Sequence, residues 1–310
     1  MEAYAAGAKF DCLLFDMDDT LYPLSLGINV ACRKNIQEYM LNKLRIEESQ
    51  VPKMCLDLYR EYGTTMAGLK LLFHMIWIIM CYARFWGYDF DYDDFHACVH
   101  GTLPYDGAQA AAAFPAAEED REPFFPDSDS QITNSSLLMS ETNCCSWPGR
   151  LQIFNNSDKA HAARVLEKLG LEDCFEGIIC FETLNPPLTE KKDGRGILCK
   201  PSLESMEAVI DIARLDAKRT VKGPTWTRSG LQPGKPGPWI RPDSARNIAA
   251  GKAAGFHTVI VGISALVPGA DVALESIHNI KEALPELWEA AGDHVEAVLR
   301  SAAVETTVIA

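Results

Sequence analysis

The chain has 310 residues, with 29 basic and 43 acidic side chains, a formal net charge of −14, and a composition 47% hydrophobic and 23% charged. These are globular proportions, and the length supplies a buried core for one large domain or two smaller ones. The acidic balance argues against nucleic-acid polymers and anionic membrane surfaces as partners, since both are held by basic patches; it leaves room for a small phosphorylated metabolite, because one metal ion and one lysine reverse the sign of a local site.

Asp11-Cys-Leu-Leu-Phe15 is a short apolar run that stops at Asp16-Met-Asp-Asp-Thr20. Such a run predicts a strand buried on both faces of a parallel sheet. Residues 27–62 read as helices, with Ala31, Ile36, Tyr39, Met40 and Leu44, then Cys55, Leu58, Tyr59 and Tyr62, at helical spacing before Gly63. The apolar run Leu71–Ala83 is 13 residues long, short of the roughly 20 that span a bilayer. It reads as a buried helix, and no stable membrane insertion is expected. The aromatic, acidic stretch 87–95 follows. Residues 107–149 lose all periodicity and read as a low-order linker or irregular segment.

Order returns with a strand at Leu151–Asn155 and a helix from Asp158 to Leu169, stopped by Gly170. A strand at Gly177–Phe181 follows, then a helix capped by Ser202 with Leu203, Met206, Val209, Ile210 and Ala213 inward. Residues 223–242 hold four Gly and five Pro and read as a loop. Asp243 opens a helix ending near Gly255, His257–Gly262 is the last clear strand, and Ser276–Val298 reads as an acidic helix. Strands alternating with helices predict an α/β fold, a Rossmann-like parallel sheet with helices on both faces. The ten cysteines form no CxxC pair and no zinc spacing with histidine. They read as reduced thiols, and the N-terminal residues lack the pattern of a secretory leader. The expected location is cytoplasmic or nuclear; the oligomeric state is left open.

Asp16 and Asp18 stand at the carboxyl end of the first strand, the edge where open parallel sheets bind ligands. Two close carboxylates repel unless one is protonated or both share a cation, and hard oxygens suit Mg²⁺. One can act as nucleophile and its neighbour as acid and base. An acidic loop would show the same five residues. His96, His100 and His161 show no metal-pair spacing and read as ordinary core or surface residues.

The residues Asp16, Asp18 and Thr20 after a hydrophobic strand, a second strand ending at Asn155, Lys200 before Pro201, and Asp243-Ser-Ala-Arg-Asn247 occur in that order. In this the chain resembles the haloacid dehalogenase-like (HAD) superfamily. The strings FDMDDTLYPLSLGI, YGTTMAGL, GYDFDYDDFH, SDKAHAARVLEKLGLEDCFEGIICFETLNP and RNIAAGKAAGFHTVIVG look closer still to its plant pyrimidine 5′-nucleotidase-like branch. The resemblance implies a discontinuous core over 1–21 and 150–310 with a helical cap inserted over 22–106. It implies a Mg²⁺-dependent phosphomonoesterase acting on a nucleoside 5′-monophosphate, pyrimidine favoured. Asp16 would form an aspartyl phosphate, Asp18 would be acid then base, and Lys200 would balance charge. Asn155, Asn156 and Lys200 would bind phosphate, and Asp16, Asp18 and Asp243 would hold the metal.

The chain departs from that pattern. Asn155 stands where Thr or Ser is expected, and Pro242 stands where the first of two acids belongs. The strand before Asp243 reads as missing, and segments 70–86 and 107–149 match nothing in the pattern. A catalytically impaired homologue, or a phosphatase for another small metabolite, is therefore the alternative reading.

Overall fold

The computed structural model describes residues 9–22, 26–72, 91–106, 147–186, 197–226, 242–261, 263, 265–274 and 280–288, with backbone alone at 224–226 and 242–243. The remaining residues, including most of 107–149, lie outside the described residues.

Strand β1 (Cys12–Phe15) is buried at every position. Leu13 and Phe15 enter one apolar cluster and Cys12 and Leu14 another, as the alternation of side chains along a strand requires. A strand with both faces covered must be apolar throughout, and that is what its sequence shows. Five more strands join it in one sheet, every neighbouring pair parallel: β2 (Arg150–Phe154), β3 (Gly177–Ile179), β4 (Thr220–Trp226), β5 (His257–Val261) and β6 (Val272–Leu274). Their spatial order is β3-β2-β1-β4-β5-β6. This is a Rossmann-like α/β sheet whose order reverses between β1 and β4.

Between β1 and β2 the chain forms α1 (Ile28–Asn42), α2 (Val51–Tyr62), a helical stretch over 65–72, and α3 (Tyr92–His100). These helices share an apolar cluster of their own, built on Tyr39, Met40, Val51, Cys55, Met66, Leu69, Phe95 and Val99, and Phe181 joins it from the sheet side. After β2 come α4 (Lys159–Leu169), α5 (Phe181–Leu184), α6 (Leu203–Ala213), α7 (Pro242–Ala253) and α8 (Ile280–Ala283). Ala162, Val165, Leu166 and Leu169 of α4 cover one face of the sheet, and Met206 and Val209 of α6 the other. The caps agree with the sequence. Asp158 accepts from His161 N, Ser202 accepts from Ser205 N, and Gly170 ends α4 at φ 65°.

Four expectations need correction. Residues 223–226 are not loop: β4 runs through Lys222, Gly223 and Pro224 and pairs with β1 and β5. The β4–β5 register shifts between Lys222 and Thr225, so Pro224 sits in an irregularity where its missing N–H breaks no ladder bond. Residues 227–241 of that predicted loop lie outside the described residues. Pro242, read as the end of that loop, is instead the first residue of α7, a position that demands no N–H. Of the predicted helix over 276–298, residues 276–279 and 289–298 lie outside the described residues, and 280–288 form α8 followed by a 3₁₀ turn at Pro285–Leu287, since Pro285 cannot continue a helix. Cys12, Cys32, Cys55, Cys98, Cys180 and Cys199 are free thiols, but Cys174 is disulfide-bonded; apolar surroundings do not prevent oxidation when a second thiol is in reach. Of the apolar run Leu71–Ala83, residues 73–83 lie outside the described residues. Among those described, no helix is long and apolar enough to cross a membrane.

Candidate active site

The loop after β1 fixes the first two acids. Met17 carbonyl accepts from Thr20 N at 3.1 Å and Leu21 N at 2.9 Å, so the chain turns sharply. Asp19 takes a left-handed φ of 55° within that turn, a conformation aspartate tolerates better than most residues. Met17 N donates to Asp16 Oδ1 at 2.9 Å, which orients the Asp16 carboxylate from its own backbone. The turn separates the two acids. Asp16 reaches Lys200, whose Nζ donates to Asp16 Oδ1 at 2.6 Å and to the Phe154 carbonyl at 2.8 Å. Asp18 reaches the opposite way, accepting from Tyr22 Oη at 2.7 Å and lying 2.8 Å from His161 Nε2.

Burial works against the Asp18 charge, but the nearby His161, as a charge and as a donor, and the Tyr22 hydroxyl outweigh it and hold this carboxyl well below its usual range. His161 is the reciprocal case. Burial opposes its charge, and the Asp18 carboxylate more than restores it and raises the imidazole. The proton of the pair therefore rests on His161. His161 Nδ1 lies 2.8 Å from Tyr105 Oη, so the ring is held at both nitrogens. The sequence offers a signal for this: His161, Val165 and Leu169 lie on one inward stripe of α4, and only the first is polar.

Asn155 and Asn156 follow β2, beside Asp16. Asn155 is buried and its amide donates to Ser157 Oγ. Asn156 Oδ1 accepts from Lys200 N at 2.8 Å and its Nδ2 donates to Lys200 O at 3.1 Å. Its side chain thus grips the main chain of Lys200. Asn156→Ala is expected to leave the buried Lys200 N–H unpaired, at about 1–3 kcal/mol; thermal melts of the two proteins check this, and Asn156→Asp, which keeps the acceptor, is expected to lose less.

A cavity of about 260 Å³ is lined by Asp16, Asp18, Asn155, Asn156 and Lys200, with Ile36, Tyr59, Phe95 and Val99 among its apolar lining. It opens at the carboxyl ends of the strands, beside the point where the sheet order reverses. Asp243 is the second residue of α7, and its side chain lies outside those described. One turn on, Asn247 lines the same cavity, and its Oδ1 is buried with no hydrogen-bond partner. Asp16 Oδ1 carries the bonds to Lys200 and Met17. The Asp16 carboxylate and an unpaired amide oxygen facing one cavity are the hard donors that Mg²⁺ takes. The residues present fit such an ion.

No family model matches the chain. Solved structures resemble it at low identity. YfnB of Bacillus subtilis, named as a HAD-hydrolase and bound to magnesium, is 15% identical, with a TM-score of 0.47 over 88% of this chain and 98% of its own. The β-phosphoglucomutase of Clostridium difficile is 13% identical, with a TM-score of 0.41 over 92% and 99%. A protein of Haemophilus somnus named as a phosphoglycolate phosphatase is 12% identical, with a TM-score of 0.42 over 88% and 97%. At these values the likenesses carry no statement of activity.

Proposed function

We propose that the chain is a HAD-type phosphomonoesterase acting through an aspartyl phosphate on Asp16. The observation that carries this reading is the Asp16–Lys200 pair at 2.6 Å, set at the carboxyl end of β1 in the lining of a small-molecule cavity. A carboxylate oriented by its own backbone and neutralised by a buried lysine can approach a phosphate dianion that would otherwise repel it. Asp16 attacks phosphorus, and the ester P–O bond breaks. The leaving alkoxide takes its proton from the Asp18–His161 pair. Water then gives a proton back to the Asp18–His161 pair and attacks phosphorus, releasing phosphate and restoring the Asp16 carboxylate.

Asp16, the Asp18 backbone carbonyl and Asp243 would hold Mg²⁺, with Asn247 beside them. The ion supplies charge to neutralise the phosphoryl oxygens. The helices between β1 and β2 form the cap, which excludes water and contributes Tyr59 and Phe95 as flat apolar walls for the substrate's ring. The favoured substrate is a nucleoside 5′-monophosphate, a pyrimidine one first, and that identity rests on the sequence resemblance.

A second reading, an impaired homologue, draws on one observation: the Asn155 amide is turned to Ser157, so a phosphate oxygen has to compete for it. Phosphate release from UMP, CMP, AMP and an aryl phosphate, with Mg²⁺ and with EDTA, separates the two. Turnover that needs the metal and prefers UMP or CMP is expected. Folded protein with no turnover on any of the four sinks the phosphatase reading and leaves the impaired homologue.

A further inference from the structure

His96 and His100 are one helical turn apart on α3, so both project from one face. That face meets Asp158, the N-cap of α4. Asp158 Oδ1 already accepts from His161 N at 2.6 Å. Its Oδ2 lies 3.2 Å from His100 Nδ1 and 3.5 Å from His96 Nδ1. Ligand atoms around a tetrahedral zinc, at bond lengths of roughly 2.0–2.2 Å, are about 3.4 Å apart. The three side chains already sit near that spacing, with all ligand atoms within 4.8 Å of one another.

The second observation is His96 itself. It is only 7% exposed, and neither ring nitrogen has a hydrogen-bond partner. Such burial is unfavourable unless something pairs with the ring. Asp158 is the carboxylate of the set.

We propose that His96, His100 and Asp158 form a zinc-binding site that ties α3 to the N-terminus of α4. Two imidazoles and one carboxylate select zinc over Mg²⁺, which prefers oxygen alone. The site shares no ligand with Asp16, Asp18 or Asp243. His96 and His100 also line the cavity, so an ion they hold sits at its wall. The ion bridges a helix from the segment between β1 and β2 to a helix packed on the sheet, beside the cavity that His96 and His100 line. It therefore restrains the opening of that cavity. The inference stands whether or not the chain is a phosphatase.

The test uses the full chain, stripped with EDTA, desalted, and titrated with Zn²⁺ in the presence of millimolar Mg²⁺, with zinc content and melting temperature as readouts. One zinc per chain and a higher melting temperature are expected. His96→Gln and Asp158→Asn are each expected to weaken Zn²⁺ binding at least about tenfold. Asparagine keeps the helix cap, so Asp158→Asn remains decisive should His96→Gln fail to fold. Zinc uptake that Mg²⁺ competes away, uptake unchanged in the Asp158→Asn protein, or no uptake at all overturns the proposal.

Discussion

Asp16→Asn is expected to reduce phosphate release to background, a loss of about 10³-fold or more, the scale seen when a covalent nucleophile is removed. The amide has nearly the shape of the carboxylate and keeps an oxygen for Lys200 Nζ and Met17 N, so the loop after β1 is expected to stay folded. What disappears is the nucleophilic oxygen. The ammonium of Lys200, 5% exposed, is left without its counter-charge, so some stability is lost too. Circular dichroism and a thermal melt beside the kinetics separate the two effects. A folded Asp16→Asn protein that still turns over a phosphomonoester removes Asp16 from the chemistry.

Lys222→Met is expected to stabilise the protein. Lys222 stands in the centre of β4, 6% exposed. Its stem packs so closely under α7 that a Cβ at Gly251 would lie 2.6 Å from Lys222 Cδ. Burial, with the nearby Lys200 adding to it and Asp16 only partly offsetting it, lowers the Lys222 ammonium from 10.5 to about 8. Below pH 8 the folded chain carries a charge that the unfolded chain holds more easily, a penalty of about 3 kcal/mol from the size of that shift. Between pH 8 and 10.5 the folded state loses the proton first, so the unfolded state binds more protons and stability rises with pH. Methionine fills similar space without a charge. The variant is therefore expected to be more stable at pH 7 by up to about 3 kcal/mol, with the advantage vanishing by about pH 10.5. Buried thiols act in the opposite sense at high pH, since burial pushes Cys12 and Cys32 up to about 12. The difference between the two proteins, measured by denaturant melts at pH 7 and pH 10, isolates the lysine. A variant no more stable than the parent at pH 7 would show that Lys222 is accommodated at no cost.

The parts of the fold that the sequence revealed are those where one physical demand acts alone. β1 is covered on both faces and so is apolar throughout, β2 and β5 are mostly so, and α4 and α6 carry cap residues and an inward stripe. β4 was hidden because Lys222, Gly223 and Pro224 violate the pattern of a central strand, and pairing on both sides overrides them. β6 is three residues long, too short for any period to appear. The site divides in the same way. Asp16 and Lys200 could be picked out by their places after a strand and before Pro201, yet their ion pair joins positions 184 apart in sequence. The histidines were read as bystanders because their partners are distant. His161 meets Asp18 across 143 positions and His100 meets Asp158 across 58, and only the packing of α3 and α4 beside the β1 loop brings them together.

The covalent intermediate can be sought directly. The full chain is mixed with a ³²P-labelled nucleoside 5′-monophosphate and Mg²⁺, quenched in acid within one turnover, digested, and the labelled peptide sequenced. An acyl phosphate is stable in acid and cleaved by neutral hydroxylamine. The expected result is hydroxylamine-labile label on the peptide carrying Asp16, absent from the Asp16→Asn protein. Turnover with no label on that peptide, or label on another residue, would contradict the assignment of Asp16 as nucleophile.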